Sequence, residues 1–321
     1  VRITGFTALL VALWMHSSCW KETCGSTAWF RDADGDGLGM VTDTAYGCDQ
    51  PPGYSGSAND FDDTDSLVRT RTEMAVVLLR STEKKNKQPV LKYVANPGFR
   101  QHNLSIKDGY TGMIEAVEAG MFAGDSVRIF RSFLDSNFIV LHARYKINGD
   151  TVVAFHVFRL QGNKVVEHWD NIAPWIADGD STTQLDGADR ISVVADTEKT
   201  RQKVAQTLQV LFLQGLWSRV EEFFDLKNLI QHRAGFGRDE QLFKQQIAQW
   251  SDGQAPYFAV KFIHARGDFA LALSESFPDV NGKINAHYDL FRLAEGRIVE
   301  HWDVVQQIPP NSTWAHSNGK W

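Results

Sequence analysis

The stretches KVVEHWDNIAPW (164–175) and RIVEHWDVVQQI (297–308) write Glu-His-Trp-Asp twice, each time behind a basic residue and two apolar ones. The likeness extends outward from this core. FHVFRLQGNKVVEHWD (155–170) aligns without a gap on YDLFRLAEGRIVEHWD (288–303), and upstream FRQH ends at His102 where LIQH ends at His232. Self-similarity at a fixed spacing signals a repeated architecture. The spacing predicts two copies of one domain, 72–180 and 196–312, joined by DGDSTTQLDGAD (178–189), whose composition is that of a linker.

Each copy has the same order of elements. In the second, Val204, Leu208, Leu211, Phe212 and Leu216 fall at helical spacing, followed by a shorter helix with Val220, Phe223 and Phe224. DEQLFKQQIAQW (239–250) is a further amphipathic helix. Four alternating runs then predict strands: YFAVKFIHA, FALALSES, NAHYDLFRLA and RIVEHWDVVQ. Helices first and antiparallel strands after make an α+β fold in which a curved sheet wraps a helix. If the last hairpin turns at Glu295-Gly296, then Tyr288 opposes Asp303, Leu290 opposes His301 and Arg292 opposes Val299. Alternation along the strand puts His301 with Asp303 on one face and Glu300 with Trp302 on the other. His168 with Asp170 and Glu167 with Trp169 divide the same way.

The Gln-His segment and the ending FR-x-x-x-G-x-x-VEHWD resemble the SnoaL-like polyketide cyclase family of the nuclear transport factor two-like superfamily. Among its branches they are most similar to the predicted SnoaL-like aldol-condensation-catalysing enzymes. Copy two carries Asp289, Phe291, Arg292, Gly296, Ile298 to Asp303 and Gln306 of that pattern, whereas copy one departs at His156 and Asn171. The resemblance implies two cone-shaped domains, each a curved antiparallel sheet wrapped around helices with one apolar pocket inside, and, because such domains pair through their sheets, an internal pseudo-dimer of the two copies. It also implies that the inward face of the last strand meets the substrate. Aldol chemistry needs a base for the proton alpha to a carbonyl and an acid for the resulting oxyanion. His168 with Asp170 and His301 with Asp303 are the candidates. His102 and His232 border the pocket in the family pattern, and His142 adds a third histidine to copy one, which makes copy one the richer candidate. Three such histidines and Asp170 also make a conceivable metal set. The competing function is a non-catalytic protein that holds a small apolar ligand. Phosphate loops, a nucleophile elbow and a catalytic Cys are absent from the sequence, so no organic cofactor is expected.

The N-terminal region differs in character. Residues 24–68 hold nine Asp against the single Arg31, within a chain of net charge −6, and no Lys/Arg stripe points to nucleic acid. FRDADGDGLGMVTD sets Asp32, Asp34 and Asp36 at alternate positions, with Gly37 at the sixth and Asp43 at the twelfth, the spacing of a calcium loop. A second cluster in NDFDDTD, Asp60, Asp62, Asp63 and Asp65, is positioned to complete the coordination, with Asp60 and Asp62 the ligands expected from it. The 24–70 segment resembles Asp-rich metal-binding modules of exported bacterial proteins, with Phe61 where those modules carry Cys, and calcium is the cofactor expected. Residues 1–23 read as a secretory signal, Arg2 preceding the apolar run Phe6 to Met15. Cys19 sits where a lipoprotein would be cleaved and tethered to a membrane, which leaves Cys24 to close a disulfide with Cys48. The expected location is secreted or in the cell envelope.

Overall fold

The computed structural model describes residues 27–68, 70–176, 184–192, 194–233, 245 and 251–321. The signal-like stretch with Cys19 and Cys24, and the helix expected at 239–250 apart from Gln245, lie outside the described residues. The chain divides into two units, 1–66 and 67–321.

The first unit is a small antiparallel sheet of β1 (Thr27–Arg31), β2 (Met40–Gly47) and β3 (Tyr54–Ser55), ordered β2-β1-β3. The acidic loop connects β1 to β2. The Asp32 carboxylate shapes it by accepting the backbone N–H groups of Gly35, Asp36 and Gly37. Gly39 closes the loop, and a Cβ there would lie 2.5 Å from the carbonyl oxygen of Phe30. Cys48 is disulfide-bonded.

The second unit is α+β and holds two five-stranded sheets with the same strand order. The first half runs α1 (Arg71–Arg80), α2 (Gln88–Tyr93), β4 (Arg100–Gln101), α3 (Gly109–Ala119), β5 (Asp125–Asp135), β6 (Phe138–Ile147), β7 (Asp150–Gln161) and β8 (Lys164–Pro174). The second half runs α4 (Thr197–Thr207), continued by a π turn and a 3₁₀ turn, then β9 (Ile230–Gln231), β10 (Tyr257–Arg266), β11 (Phe269–Ser276), β12 (Ile284–Ala294) and β13 (Arg297–Ile308). Thr70 caps α1 by accepting the N–H of Glu73, and Asp196 caps α4 by accepting those of Glu198 and Lys199. Gly120 ends α3 at φ 76°, a left-handed conformation costly for other residues.

The sheets are ordered β4-β8-β7-β6-β5 and β9-β13-β12-β11-β10. They are mixed rather than wholly antiparallel, because the two-residue strands that carry the Gln-His segments lie parallel to β8 and β13. Hairpin register differs from the sequence expectation. Leu293 does pair with Ile298, but a bulge at Val299 shifts the rest, so that Arg292 faces Glu300, Phe291 faces His301 and Asp289 faces Asp303. The bulge recurs at Val166, after which Arg159 faces Glu167 and His156 faces Asp170. One extra residue slides the partners, yet alternation beyond the bulge still separates His and Asp from Glu and Trp.

The two sheets pack face to face. Val140, Phe155, Val157 and Trp169 of the first and Leu271, Tyr288, Leu290 and Trp302 of the second share one buried apolar cluster. Asn171, off the family pattern, bonds the carbonyl oxygens of Ala286 and Val304 across the gap at 2.8 and 2.9 Å.

The stretch read as a linker, 178–189, does not behave as one over its described part. Gln184 and Leu185 are buried, and the segment after them crosses to the second half. There Asp186 O accepts Trp302 Nε1–H at 2.8 Å and Glu300 accepts Ala188 N–H at 3.2 Å. Near the other end of the chain, residues 315–320 cross the opposite way. His102 Nδ1 meets Gly319 O at 3.0 Å, Asn318 donates to Gln101 O, and Lys320 reaches Asp170 O. Each half is thus strapped by the segment that follows the other half's last strand, through a glycine of positive φ in both cases, Gly187 at 90° and Gly319 at 82°.

Candidate functional site

The repeated motif does two separate jobs because its letters alternate between faces. On the inter-sheet face, His102 stacks on Trp169 at 4.8 Å and bonds Glu167 at 2.9 Å, while Arg159 Nε donates to the other oxygen of Glu167 at 2.7 Å. The second half repeats this: His232 lies over Trp302 at 4.6 Å and bonds Glu300 at 2.8 Å, and Arg292 Nε donates to Glu300 at 2.7 Å. Although burial opposes ionisation of Glu300, the His232 and Arg292 bonds hold its pKa below the ordinary carboxylate value. His102 and His232 therefore belong to a buried network that locks each Gln-His segment to its sheet, and they do not border the cone pocket. His142 is also on this side, stacked on Phe155 at 4.2 Å with Nδ1 3.1 Å from Arg131 Nη1. Burial, helped by the Arg131 charge, pushes its pKa well down. The proposed His102–His142–His168–Asp170 metal set is accordingly not assembled.

Inside the first cone, His168 and Asp170 are present but enclosed. Gln101 Oε1 accepts the backbone N–H groups of His102 and Asn103, so it is an acceptor toward His168 Nδ1, 2.8 Å away. His168 Nε2 must then accept, and it does so from His156 Nδ1 at 3.0 Å, while Tyr145 O–H donates to His156 Nε2 at 3.1 Å. Every member of this chain is neutral. Burial lowers the pKa of His156 to about 3 and that of His168 well below its usual value. Phe122 and Phe158 press on His168 with ring centroids at 5.0 and 4.7 Å. Asp170 is tied to Asn103 at 2.7 Å, and Lys320 Nζ stands 4.0 Å from its second oxygen. His156, His168 and Asp170 bring their ligating atoms within 4.8 Å of one another. The His–His hydrogen bond and the adjacent lysine cation make this trio a poor fit for a metal.

The second cone contains a cavity of about 210 Å³. Phe212, Trp217 and Phe224 form its apolar wall, and Arg233, His287, Asp289, His301 and Asp303 its polar one. Here Asp289 stands where the first half has His156. Gln231 Oε1 accepts the N–H groups of His232 and Arg233, and its amide faces His301 Nδ1 with the nitrogen at 2.9 Å and the oxygen at 3.1 Å. His301 Nε2–H then donates to Asp289 at 3.1 Å, and Tyr257 O–H donates to the other oxygen of Asp289 at 2.7 Å. Burial disfavours the Asp289 carboxylate, but the hydrogen bonds from His301 and Tyr257 keep its pKa below the ordinary value. Asp303 is the converse: burial raises its pKa against the pull of Arg233, whose Nε is 3.3 Å away. His287 lies against Tyr257 with ring centroids at 4.8 Å and the planes tilted by 45°, and burial lowers its pKa, so it is a neutral imidazole.

Sequence reasoning placed His301 and Asp303 on the right face and missed Tyr257, Asp289, His287 and Arg233. The Asp289 signal was present, as the acidic position of the DLFR pattern that copy one lacks. Tyr257 and Arg233 come from other elements and carried no local signal. With both ring nitrogens of His301 engaged, that residue positions Asp289 and does not meet the substrate as an acid.

In the N-terminal unit, Asp32, Asp34 and Asp36 come together, and Asp34, Asp60 and Asp63 form a second trio. Asp43 instead lies on β2, 3.3 Å from Tyr54 Oη, and Asp62 turns onto the hydroxyl and N–H of Thr64. Neither joins these trios. Of the second acidic cluster, Asp60 and Asp63 join a trio, and Asp62 does not. Asp34 Oδ2 and Asp60 Oδ2 are buried oxygens without a hydrogen-bond partner, and burial raises both pKa values. Unpaired buried carboxylate oxygens are costly, and a hard cation with oxygen ligands relieves that cost. The donor set fits calcium.

No family model and no curated protein matches the sequence. Among solved structures, TsrD from Streptomyces laurentii is similar at 15% identity, over 31% of this chain and 85% of that one, with a TM-score of 0.27. An NTF2-like protein of unknown function from Cytophaga hutchinsonii is similar at 15% identity over 33% of this chain and 91% of that one, TM-score 0.28. An LEH-like epoxide hydrolase of M. tuberculosis is similar at 18% identity over 34% and 84%, TM-score 0.27.

Proposed function

We propose that the second half is a cofactor-free lyase or isomerase acting on a small carbonyl compound, with Asp303 as its base. The observation that carries this is a buried carboxyl of raised pKa in a cavity with one apolar wall. A base poised nearer neutrality removes protons alpha to a carbonyl more effectively than an ordinary carboxylate. His287, neutral and without a hydrogen bond among the described residues, supplies an N–H for the enolate oxygen. Tyr257, Asp289 and His301 fix one another and the floor on which Asp303 sits. A cavity of about 210 Å³ is smaller than the ~300–1,000 Å³ that drug-sized ligands occupy, so the substrate is small. The first half, closed by aromatic rings, acts as the structural partner of an internal pseudo-dimer.

The test is deuterium exchange at the alpha carbons of small cyclic ketones and β-dicarbonyl compounds in D₂O, followed by NMR. Wild-type protein accelerates exchange, and Asp303→Asn, folded by circular dichroism, loses about 10²–10⁴-fold of that rate. Equal rates in the two proteins exclude Asp303 as the base. Absence of any acceleration favours the second reading, a ligand-binding protein whose apolar wall of Phe212, Trp217 and Phe224 holds a molecule without turnover.

The N-terminal unit is proposed to bind calcium through Asp34, Asp60 and Asp63 together with Asp32 and Asp36, stiffening the loop. At a calcium concentration 100 times the dissociation constant, stabilisation is about 2.7 kcal/mol. A melting transition unmoved by EGTA removes this site. Secretion or residence in the cell envelope is proposed with it, supported by the bonded state of Cys48, since disulfides persist in oxidising compartments.

A further inference from the structure

We infer that Arg233 is the docking cation for a carboxylate on the ligand, so that the second-half cavity takes a small oxo acid rather than a neutral ketone. The inference rests on that cavity being the ligand site and is independent of whether turnover follows.

Arg233 follows directly on the Gln231–His232 pair, whose amide contacts hold its backbone N–H at 3.1 Å from Gln231 Oε1. Its side chain, 39% exposed, therefore extends from an anchored point along the polar wall and ends beside Asp303. The positive charge is felt at Asp303, Tyr257 and His287 alike, which makes this wall the electropositive end of a cavity whose other end is Phe212, Trp217 and Phe224. A molecule with an anionic head and an apolar body matches that polarity. In the enclosed first half the equivalent residue is Asn103, an uncharged donor to Asp170, so a cation on the Gln-His segment accompanies the half that has space for a ligand.

The pairing also couples binding to base strength. Arg233 is 39% exposed although Asp303 is buried, so an incoming carboxylate reaches the guanidinium from the open side and competes for it in the two-nitrogen geometry arginine favours. Once the cation has turned to the ligand, Asp303 loses its neutralising neighbour and holds a proton more strongly. Binding energy from a remote carboxylate is thereby used at the reacting carbon. Asp289, already held by His301 and Tyr257, is not displaced.

The experiment is calorimetric titration of the full chain with cyclohexanecarboxylate and with cyclohexanecarboxamide, two unreactive probes of the same shape. Wild-type protein is expected to bind the carboxylate at least tenfold more tightly. Arg233→Gln loses that preference, and Arg233→Lys keeps a weakened one. Asp303→Asn, which removes one internal competitor, binds the carboxylate more tightly than wild type even though its proton exchange is lost. Equal affinity for both probes, a preference that survives Arg233→Gln, or no binding of either probe overturns the inference. The proton-transfer reading is decided separately by the exchange rates.

Discussion

The two halves of the second unit carry the same four letters on the same strand, yet His301 and Asp303 of the second line a cavity of about 210 Å³, whereas Asp170 of the first borders a space of about 30 Å³. The difference begins at one position. With His156, the first half needs no counter-charge and builds a neutral chain from Tyr145 to Gln101 that aromatic rings seal. With Asp289, the second half must hold a carboxylate, and it does so with Tyr257 and His301 around open space. A motif therefore reports the strand and its faces, while the residue opposite it bears on whether the inward face is sealed or lines a cavity.

The largest effect expected from breaking this contrast is catalytic. Asp170→Asn should leave alpha-proton exchange within about twofold of wild type, whereas Asp303→Asn removes about 10²–10⁴-fold. Comparable losses in both variants would erase the distinction between the halves. Next comes the inter-sheet network. Glu300→Ala strands His232, Arg292 and the N–H of Ala188, and breaking a buried charged network typically costs about 3–5 kcal/mol. Glu167 is less completely buried, with 10% of its side chain exposed against 1% for Glu300, so Glu167→Ala should cost less in urea unfolding.

The straps offer a smaller test. Gly187→Ala meets both a left-handed backbone, about 1–2 kcal/mol, and Glu300 Oε1 1.9 Å from the new Cβ. Gly319→Ala meets only the backbone cost, since nothing lies within 4 Å. Equal destabilisation of the two would mean the straps do not differ as described. A pH slope is spread over a range and is small near neutrality. The folded pKa of His156 is about 3 against 6.5 for the free side chain, so between those values the unfolded chain binds a proton that the folded one does not. Stability is full above pH 6.5 and falls with pH by about 1.4 kcal/mol per unit from this residue. His156→Phe should flatten the denaturation profile below pH 6.5, and an unchanged slope would place the titration elsewhere.

How legible the molecule was in its sequence follows from what kind of information each feature needed. Period-two alternation located β10 to β13 and separated His301 and Asp303 from Glu300 and Trp302, since side-chain direction is a local property. The bulges at Val166 and Val299 left no mark, because an extra residue of the same apolar type preserves the pattern. His102 and His232 were assigned to the pocket because a Gln-His segment next to the last strand has two faces to choose between, and only the stacking on Trp169 and Trp302 makes the choice. The stretch 184–189 looked like a linker by composition, yet its carbonyl groups are what Arg131 and Trp302 bond.

By itself the sequence determined that the chain repeats, that each copy ends in a hairpin, and which residues of that hairpin share a face, because these follow from periodicity and chain order. Tertiary structure alone decided that the first inward His-Asp pair is sealed and the second lines a cavity, that Asp63 rather than Asp62 joins the acidic trio, and that the straps cross between halves. Those outcomes depend on residues far apart in the chain, such as Tyr257 with Asp289 and Gly319 with His102, whose meeting is set by packing and not by any local pattern.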